Sequence, residues 1–115
     1  MILYGINNCD TVRKARRWLA QNELDYQFHD YRRDGIDAAL VNRLESVVGW
    51  ELMLNRRSTS WRQLSEEERL DMSGEKARRL MVQQPTLIKR PLLECRHTVV
   101  VGFNPALYTS ELSGE

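Results

Sequence analysis

The segment ILYGINNCDTVRKA, residues 2–15, changes its hydrophobic pattern at a single cysteine, Cys9. Residues 2–6 form a short apolar run, which is typical of a buried central strand. Asn7 and Asn8 end that run with side chains that favour turns. From residue 11 onward the apolar residues recur at helical spacing, with arginine and lysine on the remaining surface. The segment therefore predicts a strand followed by a helix, with Cys9 at the junction.

The rest of the chain predicts a second strand, a helical stretch and a return to strands. Residues 24–29 alternate apolar and polar side chains, which indicates a strand parallel to the first. A mainly helical insert follows, at approximately residues 36–84. The chain then returns to strand at residues 86–88 and, after a break at residues 89–91, at residues 92–93; a strand at residues 98–101 and a helix that starts at Asn104-Pro105 follow. The order β-α-β, helical insert, β-β-α predicts an α/β fold with a mixed sheet.

Length and composition favour a single soluble domain. The chain has 115 residues, of which 42% are hydrophobic and 29% charged, close to the averages for globular proteins. A formal charge of +1 provides no general attraction for nucleic acid or an anionic membrane. No run approaches the ~20 apolar residues of a membrane span, and the first residues lack a basic leader. We therefore expect one domain over residues 1–115, a cytoplasmic monomer, and neither a nucleic-acid nor a membrane partner.

Cys9 is the strongest candidate for chemistry. A cysteine at the start of a helix lies beside unpaired backbone N–H groups, which stabilise the nucleophilic thiolate. Arg13, about one helical turn further on, adds positive charge, whereas the neighbouring Asp10 opposes the thiolate. Position alone leaves two interpretations open: a reactive thiol, or a small buried residue after a strand.

Arginines provide the candidate anion ligands. Arg90 precedes Pro91 in a break between predicted strands, where the bond between them is either an ordinary loop feature or a cis bond. Arg56 and Arg57 lie in a polar loop, and charged residues in such loops are usually solvated. They become candidates only if the fold brings them to Cys9.

The remaining cysteine and the two histidines are weaker candidates. Cys95 has no motif around it, which favours a spectator over a resolving thiol. Neither cysteine lies in a Cys-x-x-Cys motif, and His29 and His97 lack the spacing of metal ligands. No metal site is predicted.

Four segments of the chain resemble segments of one family: residues 2–15 quoted above, LMLNRRSTSW (52–61), PTLIKRPLL (85–93) and VVVGFNP (99–105). With the order of elements, they resemble the glutaredoxin-type arsenate reductase family. That family also contains Spx-type transcriptional regulators and YffB-type proteins, and the chain is most similar to the YffB type. The resemblance covers almost the whole chain and implies a thioredoxin-like fold with a helical insertion.

The resemblance implies a role for several residues. Cys9 becomes the nucleophile, Arg90 an anion ligand beside it, and Pro91 a cis-type proline. An arginine of the polar loop becomes a second ligand, and alignment on the aromatic residue that follows favours Arg57 over Arg56. The predicted site is Cys9 as the catalytic residue, with Arg13, Arg57, Arg90 and Pro91 as substrate- or anion-binding residues.

Three positions depart from the patterns of the relatives that this resemblance brings in. Arsenate reductases have a histidine four residues before the cysteine and an arginine just before the last helix, where this chain has Gly5 and Phe103. Spx-type redox regulators have a second cysteine three residues after the first, where this chain has Val12. These departures predict weaker binding of arsenate and no redox switch formed by a disulfide within the cysteine motif.

The expected function is that of a glutathione-dependent thiol reductase with one nucleophilic cysteine. An external thiol must resolve its mixed disulfide, because no second cysteine lies in the motif. Glutathione is the expected co-substrate, since its carboxylates suit arginine ligands, and no bound cofactor is expected. The substrate class is a small-molecule or protein thiol, or an oxyanion. Two alternatives remain: an arsenate reductase, and a non-enzymatic Spx-like regulator that binds RNA polymerase.

Overall fold

The computed structural model describes residues 1–96 and 98–112 and contains a four-stranded mixed sheet. The strands are β1 (Ile2–Gly5), β2 (Gln27–Asp30), β3 (Leu92–Glu94) and β4 (Val99–Val101). Their order across the sheet is β2-β1-β3-β4. Strand β1 is parallel to β2 and antiparallel to β3, and β4 is antiparallel to β3. The predicted mixed sheet with a central first strand is therefore confirmed.

Helices connect the strands, and their ends follow capping residues in the sequence. They are α1 (Asp10–Gln21), α2 (Tyr31–Asp34), α3 (Ala38–Val48), α4 (Trp50–Met53), α5 (Thr59–Gln63), α6 (Glu66–Arg69), α7 (Gly74–Gln83) and α8 (Pro105–Leu112), with a 3-10 turn at Pro85–Leu87. Asn104 Oδ1 accepts a hydrogen bond from the N–H of Ala106 at 2.9 Å, as expected for the predicted start of α8. None of these helices has the length and apolar character that crossing a bilayer requires.

The chain divides into two compact units. The first consists of Met1–Gly35 and the chain from Arg90 onward, and it contains the sheet with α1, α2 and α8. Apolar side chains from the sheet, α1 and α8 form its core: Leu3, Val12, Ala15, Leu19, Leu93, Cys95, Val100 and Tyr108. In α1 the buried residues are spaced three and four apart, so one stripe of the helix faces this core.

The second unit, Ile36–Lys89, is helical and contains the predicted insert. Helices α3 and α7 bury the apolar residues that recur at helical spacing: Val41, Leu44, Ala77, Leu80 and Met81. Asp37 caps α3 through a hydrogen bond from the N–H of Leu40 at 2.8 Å. Ser65 and Glu68 form a capping box at the start of α6.

The predicted strand at residues 86–88 is wrong. Pro85 begins a 3-10 turn, in which the N–H of Leu87 bonds to Gln84 O at 2.9 Å and the N–H of Ile88 to Pro85 O at 3.0 Å. Proline favours this outcome because its ring fixes φ near the helical value. Ile88 alone of the predicted strand pairs in an extended manner, through an isolated antiparallel bridge to Leu54.

The second strand is shorter and later than its alternating pattern predicts. It begins at Gln27 rather than Leu24, because the N–H of Leu24 bonds back to Leu19 O at 3.0 Å at the end of α1. Leu24 and Tyr26 nevertheless pack against the core of the first unit. The alternating apolar residues at positions 24–28 therefore reflect contacts with that core as well as pairing in the sheet.

Candidate active site at the edge of the sheet

Cys9 is the N-cap residue of α1. Its backbone is extended, with φ −104° and ψ 125°, and its carbonyl accepts the first intrahelical hydrogen bond from the N–H of Arg13 at 3.0 Å. The thiol is partly exposed, and it makes no capping hydrogen bond within the described part of the chain. The N–H groups of the first turn of a helix have no intrahelical acceptors. They place the positive end of the helix dipole beside Cys9.

Arg13 forms an ion pair with Asp10 on the exposed surface of α1. Its Nη1 also donates a hydrogen bond to Asn7 O at 3.4 Å. The two charges that the sequence places beside Cys9 thus neutralise each other locally. An anion that binds to Arg13 must compete with the Asp10 carboxylate, so Arg13 as an anion ligand stays a prediction.

The loop that carries Cys9 lies at the same edge of the sheet as the end of β2. Gly5, at the end of β1, pairs with Asp30, at the end of β2. The buried Asp30 carboxylate accepts hydrogen bonds from the N–H of Asn7 at 3.2 Å and from the N–H of Arg32 at 2.8 Å. Asp30 therefore fixes the turn into α1. Its sequence signal is modest: an acidic residue at the end of the second parallel strand.

Arg90 and Pro91 reach this edge from the other side of β1. Tyr4 pairs with Leu92 in the antiparallel ladder, so the residues just before β3 lie beside the end of β1. The Arg90–Pro91 peptide bond is cis, as the family resemblance implies. Pro91 is buried, and its carbonyl accepts a hydrogen bond from the N–H of Gly102 at 2.8 Å. The fold thus places Arg90 and Cys9 at one edge of the sheet.

Gly5 is required by the close approach of β1 to α1. A Cβ at this position would lie 2.7 Å from Val12 Cγ2 and 3.2 Å from Val12 Cγ1. Val12 is fully buried. A histidine at position 5 is therefore sterically incompatible with Val12, which gives a physical reason for one departure from the arsenate reductase pattern.

Phe103 contributes an apolar wall rather than a charge. Its ring packs edge-on against Tyr108, with the centroids 5.0 Å apart and the planes at 87°, and at 6.5 Å from the ring of Trp18. Phe103 packs against the same core as the partly exposed Cys9. The position where the family resemblance expects a third arginine is thus occupied by an aromatic cluster.

The two arginines of the polar loop belong to the second unit and have different surroundings. The Arg56 guanidinium lies over the Trp61 ring, 5.7 Å from its centroid, as in a cation–π contact. The backbone of Arg57 is held in a turn, since its N–H bonds to Asn55 Oδ1 at 3.1 Å and its carbonyl accepts from Arg62 Nη1 at 3.0 Å. Its side chain is exposed. The Arg56 side chain is exposed as well, and the choice of Arg57 over Arg56 as a ligand stays a prediction.

Cys95 is buried in the core of the first unit, with its Sγ 3.8 Å from Leu93 O. This position favours the spectator interpretation. His29 bonds through Nε2 to Gly35 O at 2.7 Å and contacts the Tyr4 ring. His97 lies outside the described residues. Across residues 1–96 and 98–112 no three potential metal-ligating side chains cluster together.

Comparison with known proteins agrees with this arrangement. The ArsC family pattern matches residues 4–110. An uncharacterised protein of Haemophilus influenzae is 41% identical over 92% of this chain and 93% of its own length. A solved structure of a YffB protein is 43% identical, with a TM-score of 0.89, and covers 96% of this chain and 97% of the other.

A more distant relative is a regulator. The global transcriptional regulator Spx of Lactiplantibacillus plantarum is 26% identical over 90% of this chain and 80% of its own length. The fold is thioredoxin-like, and the matched segment includes both Cys9 and Arg90. The chain belongs to the ArsC family.

Proposed function

We propose that the protein is a glutathione-dependent thiol reductase in which Cys9 is the nucleophile. The observation that supports this most strongly is the position of Cys9 as the N-cap of a 12-residue helix, at the same sheet edge as Arg90. The helix start places partial positive charge beside the sulfur, and the partial exposure of Cys9 leaves the sulfur open to attack a substrate. Val12 stands where a Cys-x-x-Cys motif would have its second thiol.

The reaction proceeds by two thiol–disulfide exchanges. The Cys9 thiolate attacks a mixed disulfide between glutathione and a substrate thiol, forms a disulfide with the glutathione sulfur, and releases the substrate as a thiolate. The thiolate of a second glutathione then attacks that disulfide, which regenerates the Cys9 thiolate and releases glutathione disulfide. Glutathione supplies both electrons. In the net reaction a mixed disulfide and glutathione give a substrate thiol and glutathione disulfide.

Arginines suit the two carboxylates of glutathione. A guanidinium presents paired N–H donors that match a carboxylate, and it stays charged at physiological pH. Arg90 lies at the edge of the sheet that carries Cys9, and the exposed Arg57 is the second proposed ligand. The cytoplasm supplies glutathione in its reduced form.

Adduct mapping and turnover test this function together. After treatment with glutathione disulfide, we expect one added glutathione on Cys9 and none on the buried Cys95, as measured by mass spectrometry of the digested protein. With reduced glutathione present, we expect turnover of a glutathionylated peptide and little or no reduction of arsenate. Gly5 and Phe103 stand where arsenate reductases have a histidine and an arginine. Each missing charge-assisted hydrogen bond removes about 1.5–3 kcal/mol of oxyanion stabilisation.

Two other results of these experiments would support the alternative functions, arsenate reduction and transcriptional regulation. Robust arsenate reduction with glutathione and a glutaredoxin would replace the proposed substrate by arsenate. The absence of both turnover and adduct, with capture of purified RNA polymerase, would favour a regulator like the Spx relative.

The substitution Arg90→Ala is expected to raise the KM for glutathione about tenfold or more, because a charge-assisted contact worth about 1.5–3 kcal/mol is lost. Arg90→Lys should recover only part of this loss, since a point charge cannot reproduce a forked contact. Steady-state kinetics at varied glutathione concentrations measures both effects. The exposed Arg17→Ala on α1 is a control for the loss of one positive charge. An unchanged KM in Arg90→Ala would place the carboxylate site elsewhere.

A further inference from the structure

A buried tyrosine hydroxyl without a partner lies at the sheet edge that carries Cys9. Tyr31 is only 3% exposed, and its Oη has no hydrogen-bond partner in the described part of the chain. The other buried tyrosines are paired: Tyr4 donates to Glu94 Oε1 at 2.8 Å, and Tyr108 donates to Gly102 O at 3.0 Å. An unpaired buried polar group destabilises the folded state, because it loses its hydrogen bonds to water and gains none in the protein. Native proteins rarely retain one without a reason.

The fold fixes Tyr31 beside the other groups of the candidate site. It directly follows Asp30, whose carboxylate holds the turn before Cys9. Arg32 Nη1 bonds to Asn8 Oδ1 at 3.3 Å, which links α2 to the same turn. The Tyr31 ring stacks on Tyr4, with centroids 6.3 Å apart and planes at 16°. This stacking restricts where the hydroxyl can point.

The charge of Arg90 acts on this hydroxyl. Burial raises the pKa of Tyr31, the neighbouring Tyr4 raises it further, and the positive charge of Arg90 opposes both. The hydroxyl is therefore protonated throughout the physiological pH range and offers an O–H donor. A guanidinium offers donors only. Both residues lie at the end of β1, since Asp30 pairs with Gly5 and Leu92 pairs with Tyr4. A neutral donor and a cation at this end of the sheet are complementary to an anionic oxygen, which accepts from both.

We propose that the Tyr31 hydroxyl and the Arg90 guanidinium form one anion-binding subsite, in which Tyr31 donates a hydrogen bond to a carboxylate or oxyanion oxygen held by Arg90. Arg90 is partly exposed, so the anion enters from the guanidinium side. The proposal rests on the proposed function for the identity of its ligand: with glutathione, the oxygen belongs to a carboxylate. An inorganic oxyanion presents the same kind of oxygen. Tyr31 is not among the residues that the sequence singles out, because it has no motif of its own.

The substitution Tyr31→Phe tests this subsite, because it removes the hydroxyl and keeps the ring. Two probes distinguish the source of the anion: S-methylglutathione, which cannot react with Cys9, and inorganic sulfate. By isothermal titration calorimetry we expect Tyr31→Phe to bind both probes about tenfold more weakly than the wild type, the loss of one hydrogen bond to a charged group. Its free energy of unfolding should equal or exceed that of the wild type, since the unpaired hydroxyl is gone.

Tyr108→Phe is the matched control. It also removes one buried hydroxyl from the first unit, but that hydroxyl is paired with Gly102 O. We expect Tyr108→Phe to keep both affinities and to unfold more easily, the reverse of Tyr31→Phe.

Two results would overturn the subsite: wild-type affinity for both probes in Tyr31→Phe, or no binding of either probe by the wild-type protein. Sulfate binding that Tyr31→Phe weakens, without any binding of S-methylglutathione, would support the subsite and reject glutathione as its ligand. The experiment can therefore disprove the anion-binding subsite and the proposed glutathione-dependent activity independently of each other.

Discussion

The substitution Cys9→Ser is expected to lower the turnover of a glutathionylated peptide on the order of a thousandfold or more, because the nucleophile of the reaction is lost. A serine hydroxyl is not ionised at neutral pH and cannot form a disulfide. The rate of glutathione disulfide formation measures the effect.

Cys95→Ala is the control for this experiment. Cys95 is buried in the core of the first unit, so its loss should reduce stability while leaving the turnover per folded molecule unchanged. Equal losses of turnover in the two variants would assign a chemical role to Cys95 and contradict the single-cysteine mechanism.

The second large effect is on stability. Gly5→Ala is expected to lower the free energy of unfolding by about 1–3 kcal/mol, the usual cost of overpacking a core. The added Cβ would lie 2.7 Å from Val12 Cγ2, inside van der Waals contact. Val12 is fully buried, and a valine in a helix has one strongly preferred rotamer, so it cannot turn away. Denaturant unfolding of the purified protein measures the change.

A double-mutant cycle tests whether contact with Val12 causes the loss of stability in Gly5→Ala. In a Val12→Ala background the methyl groups that meet the new Cβ are absent, so Gly5→Ala should cost much less there than in the wild type. The same loss in both backgrounds would mean that the effect of Gly5→Ala comes from the backbone and not from the contact with Val12.

Local signals in the sequence predicted most of the fold. The apolar run before Cys9 became a central strand, and Asn104 begins a helix as expected. Such signals are reliable because each depends on hydrogen bonds within a few residues. The strand predicted at residues 86–88 failed because an apolar β-branched run does not reveal whether a pairing strand lies beside it. There Pro85 imposed a local turn instead.

The candidate site was predictable in part. The position of Cys9 as a helix N-cap follows from the change of periodicity at that residue. The cis bond before Pro91 was implied by family resemblance alone, because a lone X-Pro pair is compatible with either isomer. Asp30 and Tyr31 were not predicted. Their importance comes from strand register and from burial, and the residues themselves belong to no motif.

The contact between Gly5 and Val12 bears on how the family diversified. Position 5 is where arsenate reductases have histidine, and position 12 is where Spx-type regulators have cysteine, so the two positions look like independent markers of two branches. In this fold they are neighbours across a strand–helix contact, with no room for a Cβ between them. A lineage that enlarges position 5 must reduce position 12, and a cysteine at position 12, smaller than valine, relaxes the constraint on position 5. The two positions are therefore coupled by packing beneath the nucleophile, and the side chain that position 5 accepts depends on the volume at position 12.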